Sequence, residues 1–298
     1  MSRLKRFGIA CLLLFPLWGR TAEPLSVRLV GDDAGFSAQV MLRIEALIRK
    51  NESDVLINDP EHAGSVHRRL LIGVGAKGVR AAEGAAPDLP VLSVLPPRQS
   101  LDPAPLPGGK AIGTINGDMP LNRIFNFVQL LTQKRGTSIG LIAGPFTQSR
   151  LSRLEASANE RGLRLLVEKV ERENNVGPAV DRLVQQAGIL LALPDPVAHT
   201  AGTVPPLLLI TYRAGVPVIG YSEAYLRAGA VAALYSTPEQ IAQQVVDMIA
   251  AWRQGKPFPS VQGLKYFTVG SNPSVARSLG LSLPPPEELE ARLKQMKE

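Results

Sequence analysis

From Pro24 onward the chain alternates short Val-, Ile- and Leu-rich runs with segments of helical period, a pattern that admits few folds beyond parallel sheets covered by helices. In the first half it predicts strands over 26–30, 54–57, 70–74 and 90–94, with helices over 37–50, 61–67 and 77–83. Residues 95–110 interrupt the pattern, because five prolines and two glycines exclude a regular element. The second half is more regular. Ile124, Phe127, Val128 and Leu131 put one apolar stripe on a helix over 122–134. Strand 138–143, helix 148–161, strand 163–168, a helix marked by Val180, Leu183, Val184 and Ala187, and strand 189–193 follow. A helix over 203–214 and strands over 217–220 and 231–234 come next. Thr237, Pro238 and Gln240 then form a capping box, opening a helix whose apolar face is Ile241, Val245, Ile249 and Trp252 and which ends at Gly255 and Pro257. For 298 residues, two βα sets mean two α/β lobes, each a doubly wound, mostly parallel sheet.

Only the N-terminus departs from globular composition. Residues 1–22 carry Arg3, Lys5 and Arg6, then an apolar run from Phe7 to Trp18 and a short polar stretch ending at Ala22. This is the layout of a secretory signal, with a retained anchor as the alternative, and it implies a periplasmic mature protein. Ala22 suits a cleavage site, whereas Arg20 two positions earlier fits it poorly. The single cysteine, Cys11, lies in that run, so the mature chain would have neither disulfide nor thiolate metal site. A formal charge of +7 first suggests nucleic acid, but four of the 33 basic and none of the 26 acidic residues lie in 1–22, leaving +3 for the rest. Those charges are interspersed and no basic helix stands out, so no nucleic-acid partner is expected.

The motifs that could carry chemistry are weak. Gly73-Val74-Gly75-Ala76-Lys77-Gly78 has dinucleotide-type glycine spacing, yet two strands precede it and no acidic residue ends a following strand at the usual distance, so it reads as a tight strand-to-helix turn. Gly220-Tyr221-Ser222-Glu223-Ala224 resembles a nucleophile elbow, but His62, His67 and His199 all precede Ser222, whereas a hydrolase of that type needs its histidine later. His62 and His67 are five apart, which does not align two imidazoles on one helical face, so no metal is expected. Neither a cofactor nor catalysis is anticipated. Open α/β sheets bind ligands at the carboxyl ends of their strands. That rule selects Asp32, Asp33, Lys77, Phe146, Thr147, Asp195, Tyr221, Ser222 and Glu223 as ligand-binding candidates, together with the loop at Pro97–Gln99.

ALPDPVAHT (192–200), AGVPVIGYSEAYLRAGAVAALYSTPEQIAQQ (214–244) and NPSVARSLGLSLP (272–284) resemble the ABC-transporter substrate-binding family that has the type I periplasmic-binding-protein fold. IGTINGDMPLNRIFNFVQLL (112–131) and TSIGLIAG (137–144) are similar to the start of its second lobe. The likeness covers 112–286, and residues 24–110 share only the element order. It implies three crossings near Asn116–Asp118, Ser236 and Ser260–Gly263. Residues 23–117 with 237–260 would form one lobe, and 118–236 with 261–298 the other. A monomer that closes by its hinge on a small polar ligand and delivers it to an inner-membrane ABC permease is the expected function. In that family's pattern Asp195 and Tyr221–Glu223 fall in the cleft. A periplasmic sensor or partner protein built on the same lobes is the second reading, and an α/β enzyme the third.

Overall fold

The computed structural model describes residues 24–59, 66, 68–97, 112–132 and 137–297. The expected leader, Cys11, all but Val66 of the helix over 61–67 with His62 and His67, and most of the 95–110 loop lie outside the described residues. The first sheet holds β1 (Leu25–Gly31), β2 (Val55–Ile57), β3 (Arg68–Val74), β4 (Val91–Val94) and β5 (Ile112–Ile115), in the order β2-β1-β3-β4-β5 and parallel throughout. Alternate residues of β3 serve opposite faces. Leu70, Ile72 and Val74 join one core, while Leu71 packs with Val91 and Ala82 on the other side. A strand covered on both faces has no place for polar alternation, which is why these runs read as continuously apolar.

One face is covered by α1 (Gly35–Asn51) and the other by α2 (Gly75–Glu83). Val40, Ile44 and Ile48 recur at helical spacing on α1, and they meet Ile241, Val245 and Ile249 on the long helix that opens at the capping box. That helix is distant in sequence but returns to the first sheet. Its far end is tied there by Arg253, which pairs with Glu52 at 2.6 Å and with Asp54.

The second sheet is assembled from β6 (Ser138–Ala143), β7 (Arg164–Lys169), β8 (Ile189–Leu191), β9 (Val218–Gly220), β10 (Ala232–Tyr235) and β11 (Thr268–Ser271), in the order β11-β10-β9-β8-β6-β7. All pairs are parallel except β10 with β11, an antiparallel edge that the sequence pattern did not predict. The helices α3 (Leu121–Thr132), α4 (Pro145–Gln148), α5 (Leu151–Asn159), α6 (Val176–Leu183), α7 (Val204–Arg213) and α8 (Glu223–Ala228) flank it, and α9 (Pro238–Arg253) is the returning helix. The chain closes with α10 (Pro273–Ser278) and α11 (Pro286–Gln295). Two apolar layers result, one holding Ile139 and Leu141 against Phe125, Leu154 and Leu289, the other holding Ile142 and Leu190 against Val180 and Leu207.

The helix expected over 148–161 is two pieces, α4 and α5, because Ser149 and Arg150 form a turn between them. Strand 189–193 stops at Leu191, before Pro194, and the helix near 180–187 begins earlier, at Val176.

Among the described residues three segments join the two sheets, and two of them run side by side. The Asn116 N–H donates to the Gln262 carbonyl at 2.9 Å, the Gln262 N–H to Thr114 at 2.7 Å, and the Leu264 N–H to Asp118 at 2.9 Å. The third passes through Ser236, whose hydroxyl donates to the Tyr266 carbonyl. Gln244 on α9 is 2% exposed and fastens the return segment with both ends of its amide: Nε2 donates to Gly263 O at 3.0 Å, and Oε1 accepts the Lys265 N–H at 2.9 Å. Gln244→Leu leaves that N–H and carbonyl without partners. A loss of about 1–3 kcal/mol in urea unfolding is expected, with the Lys265 amide exchanging faster.

Candidate functional site

A cavity of about 740 Å³ lies between the two sheets, at the carboxyl ends of their strands. The first lobe contributes Phe36 and Ser37 at the start of α1, and Leu95 and Pro96 after β4; the second contributes Ala192–Pro194 after β8, Tyr221 after β9 and Tyr235 at the end of β10. The start of α9 adds Thr237 and Glu239. Strand ends collect here because parallel strands all exit on one edge, and helices following them begin beside the opening.

Leu95 occupies the left-handed region at φ 51°, a conformation that costs a non-glycine residue roughly 1–2 kcal/mol. Its N–H donates to Ile115 O at 2.8 Å, which holds the bend that ends β4 on the cavity wall. Ser222 caps α8, accepting the Tyr225 N–H at 3.2 Å, and so fixes the chain that carries Tyr221 and Glu223. Behind Tyr221 lies a buried pair: the Tyr225 hydroxyl and His199 Nδ1 are 2.7 Å apart, and the Tyr221 and Tyr225 ring centres are 5.2 Å apart. Burial lowers the His199 imidazole to about 4 against the opposing pull of Asp195, and burial, then Tyr221, pushes the Tyr225 phenol up. Both groups are therefore neutral at ordinary pH. They form a rigid backing for the Tyr221 wall.

The charges on the wall come in pairs. Asp118 and Arg150 are 3.2 Å apart, Glu223 and Arg227 are 2.9 Å apart, and Glu239 reaches Arg43 at 2.6 Å. Tyr235 lies close enough to the second pair that, after burial, the Glu223 charge raises its pKa further while Arg227 opposes it.

Of the residues that the sequence proposes, Tyr221, Ser222 and Glu223 line the cavity. Pro97 of the 97–99 loop lines it too, whereas Asp32, Asp33, Lys77, Phe146, Thr147 and Asp195 do not, and each of these has another task in the structure. Asp32 accepts the Ala76 and Lys77 N–H groups at 3.3 and 2.9 Å, so a carboxylate already sits at the start of α2, where a pyrophosphate would bind. Asp33 and Lys77 form an exposed ion pair at 2.8 Å. Phe146 packs its ring under the Arg150 guanidinium, 5.3 Å away. Asp195 is 4% exposed and fully engaged: one oxygen accepts the Thr147 N–H and hydroxyl at 2.9 and 2.8 Å, the other the Val197 and Ala198 N–H groups at 3.0 and 3.1 Å. Burial pushes its pKa up, but those four donors outweigh it and hold the carboxyl below the usual range.

Tyr235 could have been found from sequence, since it ends a strand as Tyr221 follows one. Phe36, Arg150 and Arg227 carry no such signal, because only the packing of loops from separate strands brings them to the opening. Among the described residues no three His, Cys, Asp or Glu side chains group as metal ligands, and no helix is long and apolar enough to cross a membrane.

No family model and no curated protein matches the sequence. Solved structures do. A substrate-binding protein with adhesive properties from Clostridium difficile, in a ligand-free, open structure, matches with a TM-score of 0.67 at 14% identity over 89% of this chain and 97% of its own. An ABC domain in complex with L-Trp from Streptococcus pneumonia gives 0.56 at 15% identity over 90% and 98%. The chain has the type I periplasmic-binding-protein fold. A periplasmic ribose ABC transporter protein from Conexibacter woesei agrees, with a TM-score of 0.54 at 12% identity over 88% and 96%. The cavity lies in the space between the two lobes of this fold.

Proposed function

We propose that this chain is the solute-binding component of an ABC-type uptake system: exported to the periplasm, it traps a small molecule between its lobes by hinge closure and presents it to an inner-membrane permease. The observation that carries the reading is the cavity whose walls come from both lobes while, among the described residues, three segments join them. Residues 23–117 with 237–260 act as one body, and 118–236 with 261–298 as the other. Few residues need to change backbone angles for such bodies to swing, and a ligand touching both favours the closed state by its extra contacts there. Tyr221, Ser222 and Glu223 contact the ligand from one side and Phe36 and Ser37 from the other. Asp32, Thr147 and Asp195 act indirectly, by fixing the loops that border the site. The working unit is a monomer without cofactor or catalytic residue.

Small-angle scattering of the purified protein tests this. A pooled metabolite extract is expected to reduce the radius of gyration, and dialysis to restore it. Identical curves across fractionated extracts would remove hinge closure. Recovery of the full-length product in the cytoplasm would remove the uptake role.

A further inference from the structure

We propose that the cavity selects a net-neutral, largely apolar small molecule over a sugar or an ion, an inference that rests on the binding reading above and replaces the polar ligand expected from sequence. Two independent features of the wall point there. The first is charge. Among the described residues every charged side chain on the wall has a protein partner: Asp118 with Arg150, Glu223 with Arg227, and Glu239 with Arg43. Each wall charge is thus neutralised by a neighbour, so a ligand ion finds no isolated counter-charge, and at the half-buried Asp118–Arg150 pair recruiting one member would leave the other uncompensated.

The second feature is the hydrogen-bonding inventory. A sugar presents a hydroxyl on nearly every carbon, and each one buried without a partner forfeits its hydration. Three of the wall's four small hydroxyls serve the scaffold: Ser222 caps α8, Thr237 caps α9 by accepting the Gln240 N–H at 3.2 Å, and Ser236 donates to Tyr266, so that Ser37 and the Gln39 amide, both on α1, are the short polar side chains left to a ligand. The asparagines of the described chain are absent from the lining. Between the ion pairs the surface is instead Met119, Leu121, Ile124, Leu193 and Pro194, with Phe36 and Tyr235 at opposite sides. Such a surface gains most from an apolar ring that displaces water, with its polar head at the rim beside Tyr221 or Ser37.

Titration calorimetry on the purified protein decides the question with three sets of probes: indole, phenethyl alcohol and L-phenylalanine; D-ribose, D-glucose and D-galactose; citrate and spermidine. At least one of the first set is expected to bind tenfold or more tighter than any other probe. Phe36→Ala, at a half-exposed position outside the core, should weaken that probe at least tenfold with the circular dichroism unchanged. Arg227→Gln strips Glu223 of its partner and should raise spermidine affinity fivefold or more. Tighter binding of a sugar or an ion by the native protein would overturn the ligand class while leaving the binding reading intact. Silence from all eight probes, with scattering unmoved by metabolite extract, would instead sink the binding reading and this inference with it.

Discussion

Asp195→Ala is expected to destabilise the second lobe by on the order of 3 kcal/mol or more, seen as a fall in the urea midpoint with little change of slope. The carboxylate ties the loop after β8 to the turn after β6, and its removal leaves the Thr147, Val197 and Ala198 N–H groups without their acceptor. The site is also closely packed: a Cβ on Gly144 would lie 2.0 Å from Asp195 Oδ1. Asparagine would not rescue it, since its NH2 would have to face N–H donors. The same carboxylate carries a pH signature. Because its folded pKa lies below the ordinary aspartate value of 3.8, its contribution is complete above that value and disappears as pH falls through the lower, folded one. The native protein should therefore lose stability on that acid limb, and Asp195→Ala should flatten it when urea midpoints are compared between pH 7 and pH 3.

Gly78→Ala should cost about 3 kcal/mol in the first lobe, a large effect for one methyl group. A Cβ there would lie 2.2 Å from the Gly73 carbonyl carbon, and one on Gly73 would lie 2.6 Å from Gly78 O. Backbone meets backbone, so no rotamer change can relieve the clash; α2 must move off β3. Gly75 has a different reason. Its φ of 69° turns the chain, and a side chain there would strike Asp32 Oδ2 at 2.0 Å. The three glycines of the dinucleotide-like motif are thus explained by strand-to-helix packing and by the Asp32 cap. Gly84→Ala, where the nearest atoms are 3.8 Å away or more, is the matched control and should change the urea midpoint little.

The regular elements were legible because each leaves a local trace. Apolar runs marked the buried strands, the 3.6-residue period marked α3 and α9, and the Thr237–Gln240 capping box is present in full. What sequence reading overlooked leaves a fainter trace. β11 is four residues at an antiparallel edge, and α11 has only Leu289 and Leu293 to bury amid charged neighbours. α8 lies in a stretch that the sequence pattern left unassigned, since six residues give too little period to detect.

The candidate site divides along the same line. The rule that ligands sit beyond the carboxyl ends of strands picks Tyr221, Ser222 and Glu223, which line the cavity, and equally Asp32 and Asp195, two carboxylates at strand ends that the fold spends on its own backbone. An acidic residue after a strand reads the same whether it faces a ligand or a neighbouring turn, and the difference is set by a partner 44 to 48 residues away.

The order of strands and helices, and hence two sheet-and-helix halves, was written in local periodicity, because burial on one face or both imposes its spacing on each segment separately. Which polar groups the halves consume internally, and which remain on the wall between them, was decided only when distant loops met. Hydrogen bonds and ion pairs are satisfied by proximity in space, and a linear sequence carries no record of that.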